Sequence, residues 1–491
     1  MSLVQQVDGL ALAPPTTLAL TAAAVLAADL VLRRRRLEVA VAVGLLGSAI
    51  ALVLVGVLAA GDVRSTFCLT ADACSYQADG FALAIQGLTA IALLALLPLL
   101  TGSLRDHKLP PGEAVFLLLC SATGAMVMGA ARDVITLVIA LELVSLPTFV
   151  LVGLRRGDPR SAEAALKAFL FGVVSTAITL YGASLLYGIT GSLQLDLMAS
   201  GLAGHPHDSL AAAAVVLVIA GFGFKVAAVP FHSWVPDAYS GAPLPVAAYL
   251  AVVSKAAGLA GLLLLLLRGL APYAGTWGPV LAILAALTMS LGNLLALRQR
   301  TVIRLLAWSS VAQAGYMLVP FASHADASQR QMQDASTAVL GYLGFYAAMT
   351  LGAFAAASVL ARTRGALTIE GSRGLVRTAP WTAAVLALSL ASLAGLPPGV
   401  GGLVAKVVVL RAAVDAGYAW LAVVMAVNTV VALAYYLRWA VVVLAPAPPP
   451  VETGPRARGA VAAALVAGAA TVAISVVPQL VLRAATGGAL G

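Results

Sequence analysis

Fourteen mostly apolar runs, each about 20 residues or longer, divide this chain, and they constrain its fold more than any other feature. They fall at approximately 10–32, 39–60, 80–101, 113–131, 134–154, 163–190, 209–235, 245–268, 275–297, 302–322, 336–361, 381–413, 417–444 and 459–483. A helix rises 1.5 Å per residue, so about 20 apolar residues cross the hydrocarbon core of a bilayer. Backbone groups in lipid find no water, so the runs read as helices that satisfy their own hydrogen bonds. The runs are too long for barrel strands and do not alternate apolar with polar residues. Composition agrees: 61% of the 491 residues are hydrophobic and 10% are charged, against roughly 25% charged in a soluble domain. That excludes a soluble enzyme, a disordered chain and a secreted disulfide scaffold. The expected fold class is an all-α polytopic membrane protein with about 14 transmembrane helices.

The formal charge of +9 comes from 24 Arg and 5 Lys against 20 acidic residues. No nucleic-acid-binding motif accompanies it. With the first span running from outside to inside, the inner connections carry Arg33–Arg36, Arg105, Lys108, Arg155, Arg156, Arg160, Arg298, Arg300, Arg304, Arg362, Arg364, Arg373, Arg377, Arg438, Arg456 and Arg458. The outer side is left with Arg64, Arg132, Arg268, Arg330, Arg411 and Arg483. The positive-inside rule then places both termini outside. The first apolar run follows Asp8 and no basic segment, so it is expected to be a span and not a signal peptide. Cys68 and Cys74 lie in the outer loop after the second span, either as a disulfide or as two thiols, and Cys120 reads as a packing residue. The Pro-rich segment 445–458 reads as a stiff inner linker. No CxxC, His/Cys cluster, Gly-rich phosphate loop or Ser-His-Asp set is present, so no metal, nucleotide or flavin is expected on this chain.

The remaining cations, Lys167, Lys225, Lys255 and Lys406, fall within spans, and all are lysine. Lys255 is about ten residues from either end of its run, roughly 15 Å from each interface, too far to snorkel easily. Such a residue faces a bundle interior or a hydrated cavity, as part of a proton path or of a structural ion pair. Glu142 is the one carboxylate deep in any span, with Lys167 or Lys225 as its expected partner. The pair reads as a proton switch or as a permanent salt bridge. Lys225 precedes Pro230 and Pro236, so its helix is expected to break and to leave polar backbone near the ammonium. His232, in the same stretch, titrates near neutral pH or serves as a satisfied structural residue. Before Lys406, Pro397 and Pro398 free the carbonyls of Leu393 and Ala394. Lys167 is about one turn inside its span, where Glu163 can pair with it on one helix face and snorkelling competes with a role in the path. Arginine keeps its proton, whereas a desolvated lysine can release one near neutral pH. Four lysines and one glutamate in the membrane, with arginine kept to its surfaces, are the pattern of a proton relay.

The stretch from Lys225 to Lys255, KVAAVPFHSWVPDAYSGAPLPVAAYLAVVSK, resembles the antiporter-like membrane subunits of respiratory complex I, and among them the subunit N family. LELVSLPTFVLVGLRR, EAALKAFLFGVVSTAITLYGASLLYGITGS, RQRTVIRLLAWSSVAQAGYML and GLPPGVGGLVAK match that family in order and spacing, over about residues 113–415. Ser254–Ala257, SKAA, favours subunit N over its M and L relatives, and no long lateral helix of the L type follows the last span. The resemblance implies fourteen helices with broken helices 7 and 12 and two inverted five-helix repeats. It divides the chain into a three-helix segment (1–112), repeats at 113–268 and 269–444, and a linker with the last helix (445–491). It implies proton translocation by Glu142, Lys167, Lys225, Lys255 and Lys406 in a type 1 NADH:quinone oxidoreductase of the bacterial cell membrane. NADH, flavin, iron-sulfur clusters and quinone would belong to partner subunits, and the neighbours would be subunit M and the small K, J and A subunits. Gln313, in SSVAQAGY, stands where some relatives carry a His, which leaves the proton donor of the second half-channel unassigned. A multi-subunit cation/proton antiporter and a purely structural subunit with fixed ion pairs are the competing readings.

Overall fold

The computed structural model describes residues 7–32, 36–70, 73–106, 109–322, 328–365, 367–446 and 458–490. Most of the proline-rich segment, Arg33–Arg35, Lys108 and Arg456 lie outside them. Helices α1 (Ala13–Val31) and α2 (Arg36–Ala59) lead to a hairpin of β1 (Arg64–Thr70) and β2 (Ala73–Ala78). Then come α3 (Gly80–Asp106), α4 (Pro111–Ala130), α5 (Val134–Val152), α6 (Pro159–Thr190) and the short α7 (Leu195–Ala203). Next are α8 (Ser209–Val226), α9 (Trp234–Gly241) and α10 (Leu244–Tyr249), which runs through a π-helical turn at Leu250–Ser254 into α11 (Lys255–Leu264). The second half holds α12 (Ala274–Leu297), α13 (Val302–Leu318), α14 (Gln329–Arg364), α15 (Leu375–Thr378), α16 (Pro380–Ala394), α17 (Val400–Asp415), α18 (Ala419–Leu444), α19 (Arg458–Val476) and α20 (Gln479–Gly487).

Thirteen of these helical stretches, among the described residues, are long and apolar enough to cross a membrane, and the chain is a multi-pass membrane protein. The expected fourteenth, 381–413, is divided into α16 and α17 at Gly395–Gly399, so neither half reaches full length. The other broken helix is α8–α9. Its interruption begins earlier than Pro230 suggests, because Ala227 takes a left-handed conformation at φ +66° and closes α8 at Val226. Trp234 Nε1 donates to Phe224 O at 3.1 Å and Val229 N donates to Thr288 Oγ1 at 2.9 Å, so side chains satisfy the interrupted backbone.

The hairpin is an addition to the all-helical expectation. Cys68 stands opposite Cys74 in its register, and the two form a disulfide. Arg132, in the α4–α5 connection, is 2% exposed and holds the hairpin down. It pairs with Asp79 and donates to Gln77 Oε1 at 3.0 Å and Ala131 O at 2.7 Å. Burial pulls the Arg132 guanidinium below its ordinary range, and the Asp79 carboxylate opposes this. Gln194 Nε2 donates to Cys74 O at 3.2 Å, so the turn before α7 joins the same cap. The opposite end of the bundle is tied by arginines: Arg105 to Glu38 at 2.8 Å, Arg362 to Asp106 at 2.7 Å and Arg304 to Asp237 at 3.8 Å.

Candidate functional site

Between these two ends lie three buried lysines. Lys225, Lys255 and Lys406 are 5%, 2% and 5% exposed. Each ammonium sits beside an aromatic face, at 5.7 Å from the Phe149 ring centre, 5.7 Å from Tyr346 and 5.3 Å from Tyr316 respectively. Among the described residues the lysine ion pairs are all made by Lys167, and none by these three.

Lys225 closes α8 just before the break. Gly258, one turn beyond Lys255 on α11, lets that helix approach: a Cβ there would lie 3.0 Å from the Cβ of Lys225. The two lysine-bearing helices are thus in direct contact. Lys255 follows the π-helical turn, where the widened coil displaces the side chains that follow. Its Nζ donates to the Ser310 backbone carbonyl and to Ser310 Oγ, the latter at 2.7 Å. Ser310 Oγ also lies 3.0 Å from Tyr346 Oη and 3.2 Å from Tyr239 Oη.

Lys406 lies after its break, not before it as Lys225 does. Its ammonium donates to Leu393 O at 3.1 Å and Ala394 O at 2.8 Å. These are the two carbonyls that Pro397 and Pro398 cannot bond. Leu393 O also accepts from Gln313 Nε2 at 3.4 Å. Gln313 Nε2 donates to Tyr436 Oη at 3.2 Å, and Gln313 Oε1 accepts from Tyr342 Oη at 2.5 Å. Tyr436 Oη lies 2.5 Å from Ser309 Oγ, next in sequence to Ser310. Helix α13 therefore carries a polar line from the Lys255 partner to the Lys406 carbonyls. Sequence reasoning missed Ser309, Ser310 and the tyrosines. The signal available was the run WSSVAQAGY, in which Ser309, Gln313 and Tyr316 recur at one-turn spacing in an apolar span, with Ser310 beside the first.

Glu142 forms no direct ion pair with Lys167 or Lys225; the Thr176 hydroxyl of α6 donates to it, and its carboxylate acts on Lys225 through space. The carboxylate is half-buried, on the side of α5 that packs against α6. Lys167 is bound at the arginine-rich end, 2.6 Å from Glu163 and 2.9 Å from Asp237. Its side chain is 41% exposed. The His232 ring lies 5.5 Å from Trp308, and its buried Nδ1 has no hydrogen-bond partner among the described residues. No cluster of three His, Cys, Asp or Glu that could hold a metal occurs among the described residues.

Fold and site together define a class: a polytopic membrane protein with two broken helices and a row of three buried lysines that make no ion pair among the described residues. Residues 131–432 match the family described as NADH:quinone oxidoreductase/Mrp antiporter, TM. The chain is 53% identical over 463 residues to "NADH-quinone oxidoreductase subunit N 2" of Streptomyces griseus, covering 92% of this chain and 86% of that one. It is 49% identical over 447 residues to "NADH-quinone oxidoreductase subunit N" of Salinispora tropica, covering 89% and 85%. A chain of respiratory complex I from Thermus thermophilus superposes with a TM-score of 0.78 at 34% identity, over 96% of this chain and 98% of that one. A chain of the Mrp complex from Dietzia has a TM-score of 0.83 at 21% identity, over 98% and 97%, and shares the fold. The chain belongs to the NADH-quinone oxidoreductase subunit N family, within the wider NADH:quinone oxidoreductase/Mrp antiporter membrane family.

Proposed function

We propose that this chain is the proton-translocating subunit N of a type 1 NADH:quinone oxidoreductase. The observation that carries the reading is the row Lys225, Lys255 and Lys406: buried, without an ion pair among the described residues, and with Ser310, Ser309, Tyr436 and Gln313 leading from the Lys255 ammonium to the carbonyls that hold Lys406. Fixed ion pairs would require a carboxylate in contact with each ammonium; among the described residues none of the three makes such a pair, and only Lys225 has a carboxylate, Glu142, acting on it from further off. Lysine can give up its charge where arginine cannot. Glu142 and Lys167 complete the relay, the first midway along α5 and the second at the arginine-rich mouth. His232, beside the first break, is a further proton-carrying candidate. The relatives named subunit N, at 53% and 49% identity, favour this assembly over a cation/proton antiporter, whose solved neighbour stands at 21%.

The chain carries out no redox step in this account. NADH, flavin, iron-sulfur clusters and quinone reside on partner subunits, and the neighbours are the M-type and the small K-, J- and A-type membrane subunits. The arginine-rich end faces the inside of the bacterial cell membrane, and both termini lie outside. Spans four to eight (113–268) and nine to thirteen (269–444) form two inverted repeats, supported by one broken helix in each, five spans apart. Residues 1–112 precede them and 445–491 follow. Each proton moved outward costs about 2.3 kcal/mol per 100 mV, supplied by quinone reduction elsewhere in the complex. Lys225→Ala tests the reading. The complex is expected to assemble, with quinone-coupled proton pumping strongly lowered. Wild-type pumping in this variant would overturn the relay reading.

A further inference from the structure

The eight-residue helix α9 touches two parts of this chemistry at once. Asp237 Oδ2 accepts from Lys167 Nζ at 2.9 Å, and Asp237 Oδ1 lies 3.8 Å from Arg304 Nη1. Two residues on, about 200° around the helix, Tyr239 is buried and its hydroxyl lies 3.2 Å from Ser310 Oγ. Ser310 Oγ is also the acceptor for Lys255. Arg304 and Ser310 both belong to α13, six residues and therefore about 9 Å apart along its axis. So α9 meets α13 at two heights, once through a charge and once through the hydroxyl that serves Lys255.

The other side of α9 has no slack. A Cβ at Gly241 would lie 2.5 Å from Ala164 Cβ and 3.0 Å from Arg160 O, so the end of α9 rests on the backbone of α6. Ala164 is one turn before Lys167 on the same helix. The charged groups facing Asp237 are Lys167 on α6 and Arg304 on α13, with Glu163 competing for Lys167 at 2.6 Å. While the Lys167–Asp237 pair is made, the Asp237 carboxylate is shared between α6 and α13. When that pair opens, with Glu163 keeping the ammonium, Arg304 alone attracts Asp237, and the balance of forces on α9 shifts toward α13. A rigid short helix passes that shift to its other contact, Tyr239–Ser310.

We infer that Asp237 is a positioning residue for proton transfer, holding Lys167 at the arginine-rich mouth and linking that ion pair, through α9 and Tyr239, to the Ser310–Lys255 hydrogen bond. This rests on the relay reading above. It is tested in the intact complex reconstituted in liposomes, with Asp237→Asn, Asp237→Glu, Tyr239→Phe and the Asp237→Asn/Tyr239→Phe double variant. Quinone reduction and proton uptake are expressed per assembled complex. Asp237→Asn is expected to slow both about fivefold or more, and Asp237→Glu to restore most of the rate. Tyr239→Phe is expected to slow turnover as well. The double variant is expected to be no slower than Asp237→Asn alone, since both losses act through one element. Full turnover in Asp237→Asn, or losses that multiply in the double variant, would overturn the link. So would a fall in assembled complex with turnover per complex unchanged, which marks a mere fastening. Lys225→Ala is run alongside. If it slows pumping and Asp237→Asn does not, the relay stands and the link fails. If Lys225→Ala pumps at the full rate, the relay fails and the link with it.

Discussion

An ammonium inside a membrane bundle needs a counter-ion or fixed dipoles, and Lys406 has the dipoles. Its two carbonyl partners are the ones that a pair of prolines leaves unbonded, so this site was legible from a single short stretch of sequence. Glu142 was legible only in depth. Its partner Thr176 is on another helix, and no spacing along α5 reports what α6 places opposite. Asp237 was passed over because an acidic residue near a helix end is ordinary, and its partners come from α6 and α13. Gln313, where a histidine was the point of comparison, proves to be the centre of a hydroxyl cluster. Gln313→Leu removes the acceptor of Tyr342 and the donor to Tyr436 together. A buried hydroxyl left without its partner costs about 1 kcal/mol in a membrane bundle. The variant is expected to lower the Tm of the solubilised complex slightly and its turnover markedly. Turnover equal to wild type would take Gln313 out of the polar line.

At the scale of elements, the breaks matter more than the spans. Hydropathy located the thirteen spans found among the described residues, because a bilayer asks only for length and apolarity. It did not locate the hairpin, whose order comes from Arg132, Gln77 and Gln194 packing at one end. Nor did it show the π-helical turn before Lys255, which no local residue type announces. The second break depends on close approach of its two halves. A Cβ on Gly402 would lie 1.7 Å from Ser392 O, inside the turn that presents carbonyls to Lys406. Gly402→Ala therefore forces α16 and α17 apart, and overpacking of this kind costs roughly 1–3 kcal/mol. Less assembled complex on native gels is expected, together with lower turnover per complex. Gly188→Ala, on α6 with nothing within 4 Å, is the matched control and is expected to be neutral. Equal effects of the two would contradict the packing account.

Across the whole molecule, charge is sorted by kind. Arginines tie the two ends of the bundle, and Lys225, Lys255 and Lys406 occupy its middle. That sorting was visible in the sequence, and it gave the class of function before any contact was known. What the sequence could not supply was that the three buried lysines make no ion pair among the described residues, since that is a property of several helices packed together. This absence separates a relay from a scaffold. In a scaffold, removing a lysine weakens assembly; in a relay, it leaves the complex standing and uncouples it. The most direct test is the proton-to-electron ratio of the purified complex in liposomes with Lys255→Met, a substitution close in volume that keeps the bundle packed. The account predicts normal amounts of assembled complex and a clearly lower ratio or pumping rate. A wild-type ratio and rate per complex, or a loss confined to assembly, would contradict it.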